Sequence, residues 1–511
     1  MVKQIYRKKI IAWLPYLFYL TWYIVFSIKY FNNAGPDFTA YISIANKYLH
    51  GYYTEAVNGW WSPFYSWGLA FFKLFGISDL FANKSLNFVF GVGAILYASK
   101  IIRLFSTTAT NNNLSFYLLL VVPIVAYFGA TAGSPDFLVT VILLSSAYHI
   151  VSLLRFRRKR DAIILGCISG LAYYIKAYNF YYFIFSFILL DIILIAITRS
   201  FRKNFILIAL KWSMFLFLSL LWVLAIYSRY HVKNVSLIRE LEVCTDQPFS
   251  VSNIMHCTGI IPPPDSVSFS AWDDPSRLPA KHSLFNYTFD KNGSRIITKF
   301  LVNAWSFIRY QLSLWKFILL IGSVIVLFKK DKIATLVLLG SFVLFSSGYF
   351  LIYLEERFVS STIVLGTTMI AAAIVVLFER WKIKPWINAA LLLLLIGLFS
   401  KAPASMLFIN TKNEIGEIDN MLSKSTTKLP ANKNFAASNE VDSKAFFLPY
   451  EVKGTFYGFS EKNISLSKLY GDLKKYHVDY YITGKSLNDT TFLKPVNGFA
   501  TFPLMLYEFK P

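Results

Sequence analysis

Cysteine is scarce in this sequence, acid is scarce, and the usual nucleotide loops are missing. With three cysteines in 511 residues, a disulfide scaffold or a four-thiolate zinc site is excluded. There is no Gly-rich phosphate loop, no zinc-spaced Cys/His set, no internal repeat and no low-complexity tract. Kinases of the P-loop type, dinucleotide enzymes of the Gly-rich type and solenoids are therefore set aside. Charged residues make up only 15% of the chain, too few to wrap a soluble protein of this size. What fills the sequence instead is hydrophobic, 56% overall, with aromatic residues at 18%.

Apolar runs near the ~20 residues needed to cross a bilayer recur along the chain. They fall at 11–31, 80–102, 114–130, 136–154, 162–176, 178–198, 205–228, 306–328, 333–353, 359–378 and 386–403, about eleven in all. The pattern predicts an α-helical polytopic membrane protein. The formal net charge of +23 is carried mostly by short tracts between apolar runs: Arg7–Lys9, Arg103, Arg155–Arg160, Arg199–Lys203, Lys329–Lys332 and Arg380–Lys384. That placement carries orientation information and does not form a nucleic-acid patch. All six tracts fall on one side, the cytoplasm by the positive-inside rule, if the count of spans is right. The N-terminus is then inside and the C-terminus outside. The run after Arg7, Lys8 and Lys9 has no small-residue cleavage site, so it is expected to stay as the first span.

The domain reading is a transmembrane part, 1–403, with a first outer loop at 32–79 and a long one at 229–305. A soluble outer part follows at 404–511. In that part short apolar strands at 435–438, 454–459, 479–483 and 502–509 alternate with a helical stretch at 465–476, predicting a small α/β domain. In the long loop, Pro262–Pro264 and Pro275 stiffen turns. Cys167 lies in a span, whereas Cys244 and Cys257 share the long loop, where a disulfide and two separate thiols are both open.

Chemistry concentrates at the outer ends of the spans, where ionisable residues are costly and hence functional suspects. The polar, patterned stretch Gly35–Trp67 opens with Asp37 and an amphipathic run containing Phe38, Tyr41, Ile42 and Tyr48, predicted to be a surface-lying helix. Asp37 suits a helix cap, and equally a general base that takes the proton of an acceptor hydroxyl. Asp136, after Ser134-Pro135, suits a cap, or a catalytic group that hydrogen-bonds the sugar or orients the acceptor. Lys176 sits between two spans on the side where a basic residue is disfavoured, as a snorkelling side chain or as a clamp on a phosphate leaving group. Arg357, beside Glu355 and Glu356, reads as a second phosphate ligand or as an ion pair that fixes its turn. Tyr41, Trp60, Trp61 and Tyr65 form an interfacial belt or the wall of a sugar or lipid pocket, to which Glu355 is also assigned. His50, Glu55, Asp273, Asp274 and His282 are conceivable metal ligands, but their spacing argues for no site, and no metal is assigned.

The order of these features resembles the GT-C superfamily of membrane glycosyltransferases, closest to the family 39 and family 83 branch. That branch contains the protein O-mannosyltransferases and the lipid A aminoarabinose transferases. The resemblance rests on PDFTAYISIANKYLHG, WWSPFYSW, SPDFLVT, YYIKAYNF and LEERF, in that order. It implies a sugar donor linked by phosphate to a polyprenol, used at the outer face of a membrane such as the bacterial inner membrane, with inversion at the anomeric carbon. It also implies that Asp37 is the essential acid of the first loop, Asp136 the second acid, and Lys176 and Arg357 the lipid-phosphate ligands. Relatives of the aminoarabinose transferases carry an acidic–basic pair just before the proline of the first loop, where Trp61 and Ser62 stand here. The acceptor is a hydroxyl of lipid, glycan or protein, and a divalent metal is an open option. Two other classes compete. A lipid-linked glycan transporter predicts charges deep in several spans, whereas the charges here are read as clustering on one rim. A polysaccharide polymerase or ligase predicts one dominant outer loop with paired arginines.

Overall fold

The computed structural model describes residues 2–33, 35–106, 111–231, 240–241, 259–277, 282–283, 293–352, 354–381, 384–409, 414–425, 428–441, 444–461, 463–487, 491–497, 499 and 504–510. Cys244 and Cys257, and with them the disulfide question, lie outside these residues. In chain order the helices are Val2–Lys29 (α1), Pro36–Leu49 (α2), Tyr53–Ala56 (α3), Pro63–Lys73 (α4), Asp79–Arg103 (α5), Asn111–Leu118 (α6) and Val122–Thr131 (α7). Leu138–Phe156 (α8), Lys159–Ile175 (α9), Ala177–Thr198 (α10) and Phe201–Tyr230 (α11) follow. Then come Gly293–Ser306 (α12), Leu314–Lys330 (α13), Lys332–Ile352 (α14), Glu356–Trp381 (α15) and Pro385–Met406 (α16). Shorter helices at Glu414–Lys424 (α17), Lys444–Glu451 (α18) and Leu466–Lys475 (α19) belong to the C-terminal part.

Every expected span corresponds to helix. Among the described residues, 8 helices are long and apolar enough to cross a membrane, or up to 9 if one bent pair is a single span. This is a multi-pass integral membrane protein. The remaining expected spans differ for local reasons. The run at 114–130 is two short helices, α6 and α7, with Pro123 at the start of the second. The run at 162–176 forms the 17-residue α9. The run at 306–328 is bent by 98° after a π-helical turn at Phe307–Leu312, where Ser313 takes a positive φ of 66°.

The chain divides into two compact units, residues 1–31, 83–224 and 291–410 in one, and 32–82, 225–290 and 411–511 in the other. In the first unit the spans pack through small residues and buried polar pairs. Gly166 and Gly170 on α9 form a GxxxG step against α11. A Cβ at Gly166 would lie 2.5 Å from the Lys211 carbonyl oxygen, and one at Gly170 would lie 2.7 Å from the Leu218 Cβ. The basic ends of several spans meet: Arg155 pairs with Asp331, and the Ser106 hydroxyl donates to Glu379 at 2.6 Å.

Ionisable groups also occur within spans, which corrects the expectation that charge is confined to one rim. Fully buried Lys211 donates to Asp191 at 2.5 Å, and the Trp212 indole donates to the same carboxylate at 2.7 Å. Lys84 in α5 donates to the Ala130 carbonyl at 2.6 Å, in the last turn of α7, where a helix leaves carbonyls without an intrahelical partner. These partners were not legible from spacing because they come from other helices.

In the second unit a five-stranded sheet has the order β4-β3-β5-β7-β6. Its strands are Asn434–Ala437 (β3), Thr455–Phe459 (β4), Tyr480–Thr483 (β5), Leu493–Pro495 (β6) and Met505–Phe509 (β7), after a short antiparallel pair, Glu240–Leu241 (β1) and His282–Ser283 (β2). β3 is parallel to β4 and β5, and β7 runs antiparallel to β5 and β6. The expected C-terminal α/β domain is therefore present. Short β6 and helices α17 and α18 were not anticipated, because Lys494 and Pro495 disguise an edge strand. The described part of the long 229–305 loop adds to the same sheet. The Ile261 N–H donates to the Tyr457 carbonyl at 2.7 Å, and the Phe456 N–H to the Phe269 carbonyl at 2.8 Å.

The close approach of α9 to α11 yields a test. Substituting Gly166→Val or Gly170→Val overpacks the contact and is expected to cost ~1–3 kcal/mol. The melting temperature of the detergent-solubilised variants should fall, and an unchanged temperature would show that α9 and α11 do not meet there.

Candidate active site

Five of the expected site residues lie in the second unit. α2 starts abruptly because Pro36 occupies its first turn and Gly35 its N-cap, without a side-chain cap. Asp37 is therefore inside the first turn and does not act as the cap. The predicted surface-lying helix is instead buried around most of its circumference, Asp37, Tyr41, Ser43 and Lys47 included. Its polar positions can be buried because each has a partner. The Ser43 hydroxyl donates to Asp273, and the Lys47 ammonium donates to Ser268 at 2.6 Å and lies 3.4 Å from Asp265.

Asp37 is brought beside an aromatic group built from the 32–79 and 229–305 loops. Its Oδ1 lies 3.4 Å from the indole nitrogen of Trp272, whose N–H points to it. The Trp61 indole donates to the Trp272 carbonyl at 2.9 Å, and the two indoles sit edge to face at 5.6 Å. Tyr41 meets Trp61 at 5.2 Å and Tyr65 at 5.3 Å, and Trp60 contacts both Trp61 and Trp272. Tyr41, Trp61 and Tyr65 are buried as core side chains rather than displayed as a belt, and half-buried Trp60 retains an accessible face. Asn58 ties the group together. Its carbonyl oxygen accepts from the Trp60 and Trp61 N–H groups at 2.8 and 2.9 Å, and its amide donates to the Asp273 carbonyl.

Trp272 was not among the expected residues. The signal that could have found it is the AWDD run, where Ser270 caps the 3-10 turn Ala271–Asp273 by accepting from the Trp272 N–H at 3.2 Å. Asp274 is held by Tyr230 at 2.5 Å, with Arg229 and Arg277 each 3.5 Å away. Asp273 and Asp274 are thus engaged in fastening the loop. Among the described residues no group of three or more His, Cys, Asp or Glu is placed to hold a metal ion.

The other four expected residues meet in the first unit. Asp136 lies in the turn just before α8, and Phe137 takes the N-cap position, so Asp136 is not a cap either. Lys176 is the single extended residue between α9 and α10, with φ −157° and ψ 129°, and serves both helix ends at once. The turn throws its side chain onto Asp136, with which it forms an ion pair. Arg357, in the first turn of α15, approaches the second oxygen of Asp136 at 4.0 Å and pairs with Glu355. The Ser134 hydroxyl donates to Asp136 at 2.7 Å. The Lys176 ammonium lies 4.1 Å from the ring centre of Phe358 and 5.4 Å from that of Tyr349, and those two rings stack at 5.2 Å.

Burial alone would raise the Asp136 pKa, but Lys176 and Arg357 outweigh it and hold the carboxyl below its ordinary value. The carboxyl is ionised at neutral pH, and two partly exposed cations share it. Such a pair of cations, one of them a planar guanidinium, is suited to a phosphate group.

With the fold and both groups described, the comparisons with solved structures bear on the fold. The chain has a GT-C-type membrane fold. It is similar to the crystal structure of ArnT from Cupriavidus metallidurans in the apo state, with a TM-score of 0.57 at 11% identity over 96% of this chain and 97% of that one. The structure of the same protein bound to undecaprenyl phosphate matches with the same figures. The apo Archaeoglobus fulgidus oligosaccharyltransferase aligns at 10% identity over 91% of this chain and 69% of its own, with a TM-score of 0.45. No protein-family model and no curated protein sequence matches the chain.

A pH test follows from the loop anchor. Burial pushes the Asp273 carboxyl up to about 6, despite the opposing effects of Lys47 and Ser43. Because the folded state holds this proton to higher pH than the unfolded chain does, the group's stabilisation is present near pH 4 and lost as pH rises towards 6. The difference is of order ~3 kcal/mol. Apparent melting temperature across pH 4–7 should lose this component in Asp273→Asn. Glu451, raised to about 7 by burial and by Asp419 and Asp79, keeps its own dependence to higher pH. An unaltered profile in Asp273→Asn would contradict the assignment.

Proposed function

We propose that this protein is an inverting glycosyltransferase that moves a sugar from a polyprenyl-phosphate-linked donor to a hydroxyl of a lipid, glycan or protein acceptor. The observation that carries the reading is the sharing of Asp136 by Lys176 and Arg357, in a chain whose fold matches that of an undecaprenyl-phosphate-binding structure. A two-cation cradle resting on aromatic faces suits a phosphate at the head of a lipid.

In the proposed reaction the acceptor oxygen attacks the anomeric carbon, and the bond from that carbon to the phosphate oxygen breaks. The electron pair leaves with polyprenyl phosphate, where Lys176 and Arg357 stabilise the added negative charge. The acceptor proton passes to the Asp37 carboxylate. Asp136 holds Lys176 in place, and Glu355 does the same for Arg357. Half-buried Trp60 offers aromatic surface for the apolar face of a sugar, with the buried Trp61 and Trp272 packed against it and holding it beside Asp37. Tyr41 and Tyr65 support that surface from behind. The reaction takes place at the outer face of the membrane, with the N-terminus cytoplasmic and the C-terminus outside.

Purified protein given radiolabelled polyprenyl-phosphate sugars and membrane extract should transfer label. Asp37→Asn should lower turnover by ~10²–10⁴-fold, the usual range for a lost general base. Lys176→Gln and Arg357→Gln should each lower kcat by ~10²–10³-fold, as loss of one charge stabiliser does. Wild-type rates in a folded Asp37→Asn variant would remove it from the chemistry, and failure of the wild type to consume any such donor would overturn the reading.

A further inference from the structure

A separate cavity of about 370 Å³ opens in the first unit, at the basic ends of α13 and α15. It is lined by Ile325, Val326, Lys329 and Lys330 from α13, and by Val376, Leu377, Glu379 and Arg380 from α15. This volume lies within the ~300–1,000 Å³ usual for ligand sites. Cations in the last turn of a helix are favoured by its dipole, which accounts for their presence but not for a cavity between them.

The pairing around the cavity decides what it can take. Two carboxylates are close in sequence, and both are engaged elsewhere. Asp331 pairs with Arg155 and caps α14 through the Ala334 N–H at 2.9 Å, while Glu379 accepts from the Ser106 hydroxyl at 2.6 Å. Among the described residues, Lys329, Lys330 and Arg380 have no carboxylate partner, and all three are exposed. Their charges outweigh Glu379 and the two helix-end dipoles, each about half a charge. The remaining lining is aliphatic, and Ile325 is 55% exposed on the side of a membrane-spanning helix. A soluble anion would use the cations and leave that wall bare. A lipid with an anionic head would use both.

We propose that this cavity is a binding site for an anionic glycerophospholipid, its phosphate held by Lys329, Lys330 and Arg380 and its chains lying against Ile325, Val326 and Val376. Basic pockets between spans are a recurrent form of lipid headgroup recognition. The site draws on none of the residues assigned to glycosyl transfer.

The test uses the full chain in nanodiscs. Labelled phosphatidylglycerol and labelled phosphatidylcholine are competed for retention by wild type, by the triple variant Lys329→Gln/Lys330→Gln/Arg380→Gln, and by a charge-preserving variant Lys329→Arg/Lys330→Arg. Wild type and the charge-preserving variant should retain the anionic lipid at least tenfold better than the zwitterionic one, and the triple variant should lose that preference while eluting as a folded species. Inorganic phosphate added at the same concentration should not displace the lipid. Equal retention of both lipids by wild type, persistence of the preference in the triple variant, or displacement by inorganic phosphate would each overturn the proposal. Should the triple variant fail to elute as a folded species, the single variants Lys330→Gln and Arg380→Gln replace it, each expected to lose at least threefold in preference.

Discussion

An ionisable side chain withdrawn from water must find a partner, because an unpaired buried charge costs several kcal/mol or shifts its protonation. The architecture of both units follows that constraint. In the first, Lys211 meets Asp191, Lys84 meets the end of α7, and Lys176 meets Asp136. In the second, Lys47 meets Ser268 and Asp265, and Asp273 is met by Ser43 and the Phe269 N–H. Apart from the local Phe269–Asp273 bond, each pair joins different elements of the fold. Breaking one partner away is costlier than the pair is worth, so these contacts specify the arrangement more than they add to its stability.

The same constraint explains why the two groups of candidate residues are built as they are. Lys176 can reach Asp136 because one extended residue separates α9 from α10, which turns its side chain out of both helices. Asp37 is held in the first turn of a helix whose N-cap is a glycine, leaving its carboxylate to Trp272. Both candidate polar groups are placed where the regular hydrogen-bonding of a helix begins or ends. The hydrocarbon-facing stretches, by contrast, need only apolar side chains and closed backbone hydrogen bonds.

Fold class was legible from the sequence to a high degree. Apolar runs of spanning length report directly on membrane helices, because the bilayer sets one length for all of them. Alternation and turn residues reported the four longer strands of the C-terminal sheet and the helix between them. What eluded such reading were features without a periodic signature. These include the break at 118–122, the 98° bend at Ser313, edge strand β6, and the burial of α2. The last is instructive. Ser43 and Lys47 make one face of α2 look solvent-bound, and only the return of the 259–277 segment supplies the partners that let that face be buried.

The candidate site divides in the same way. Residue type and position relative to the spans by themselves picked out Asp37, Asp136, Lys176, Glu355 and Arg357, because ionisable groups at span ends are rare and visible. Which of them touch was decided by tertiary structure. Asp136 gathers Lys176, Arg357 and Ser134 from separate turns, and Trp272 comes to Asp37 across more than two hundred residues of sequence. Hydrophobic length and charge placement are local quantities, so the sequence alone determined the spans and the suspects. Pairing in a low-dielectric interior is a relation between distant segments, so only the fold could decide the partners.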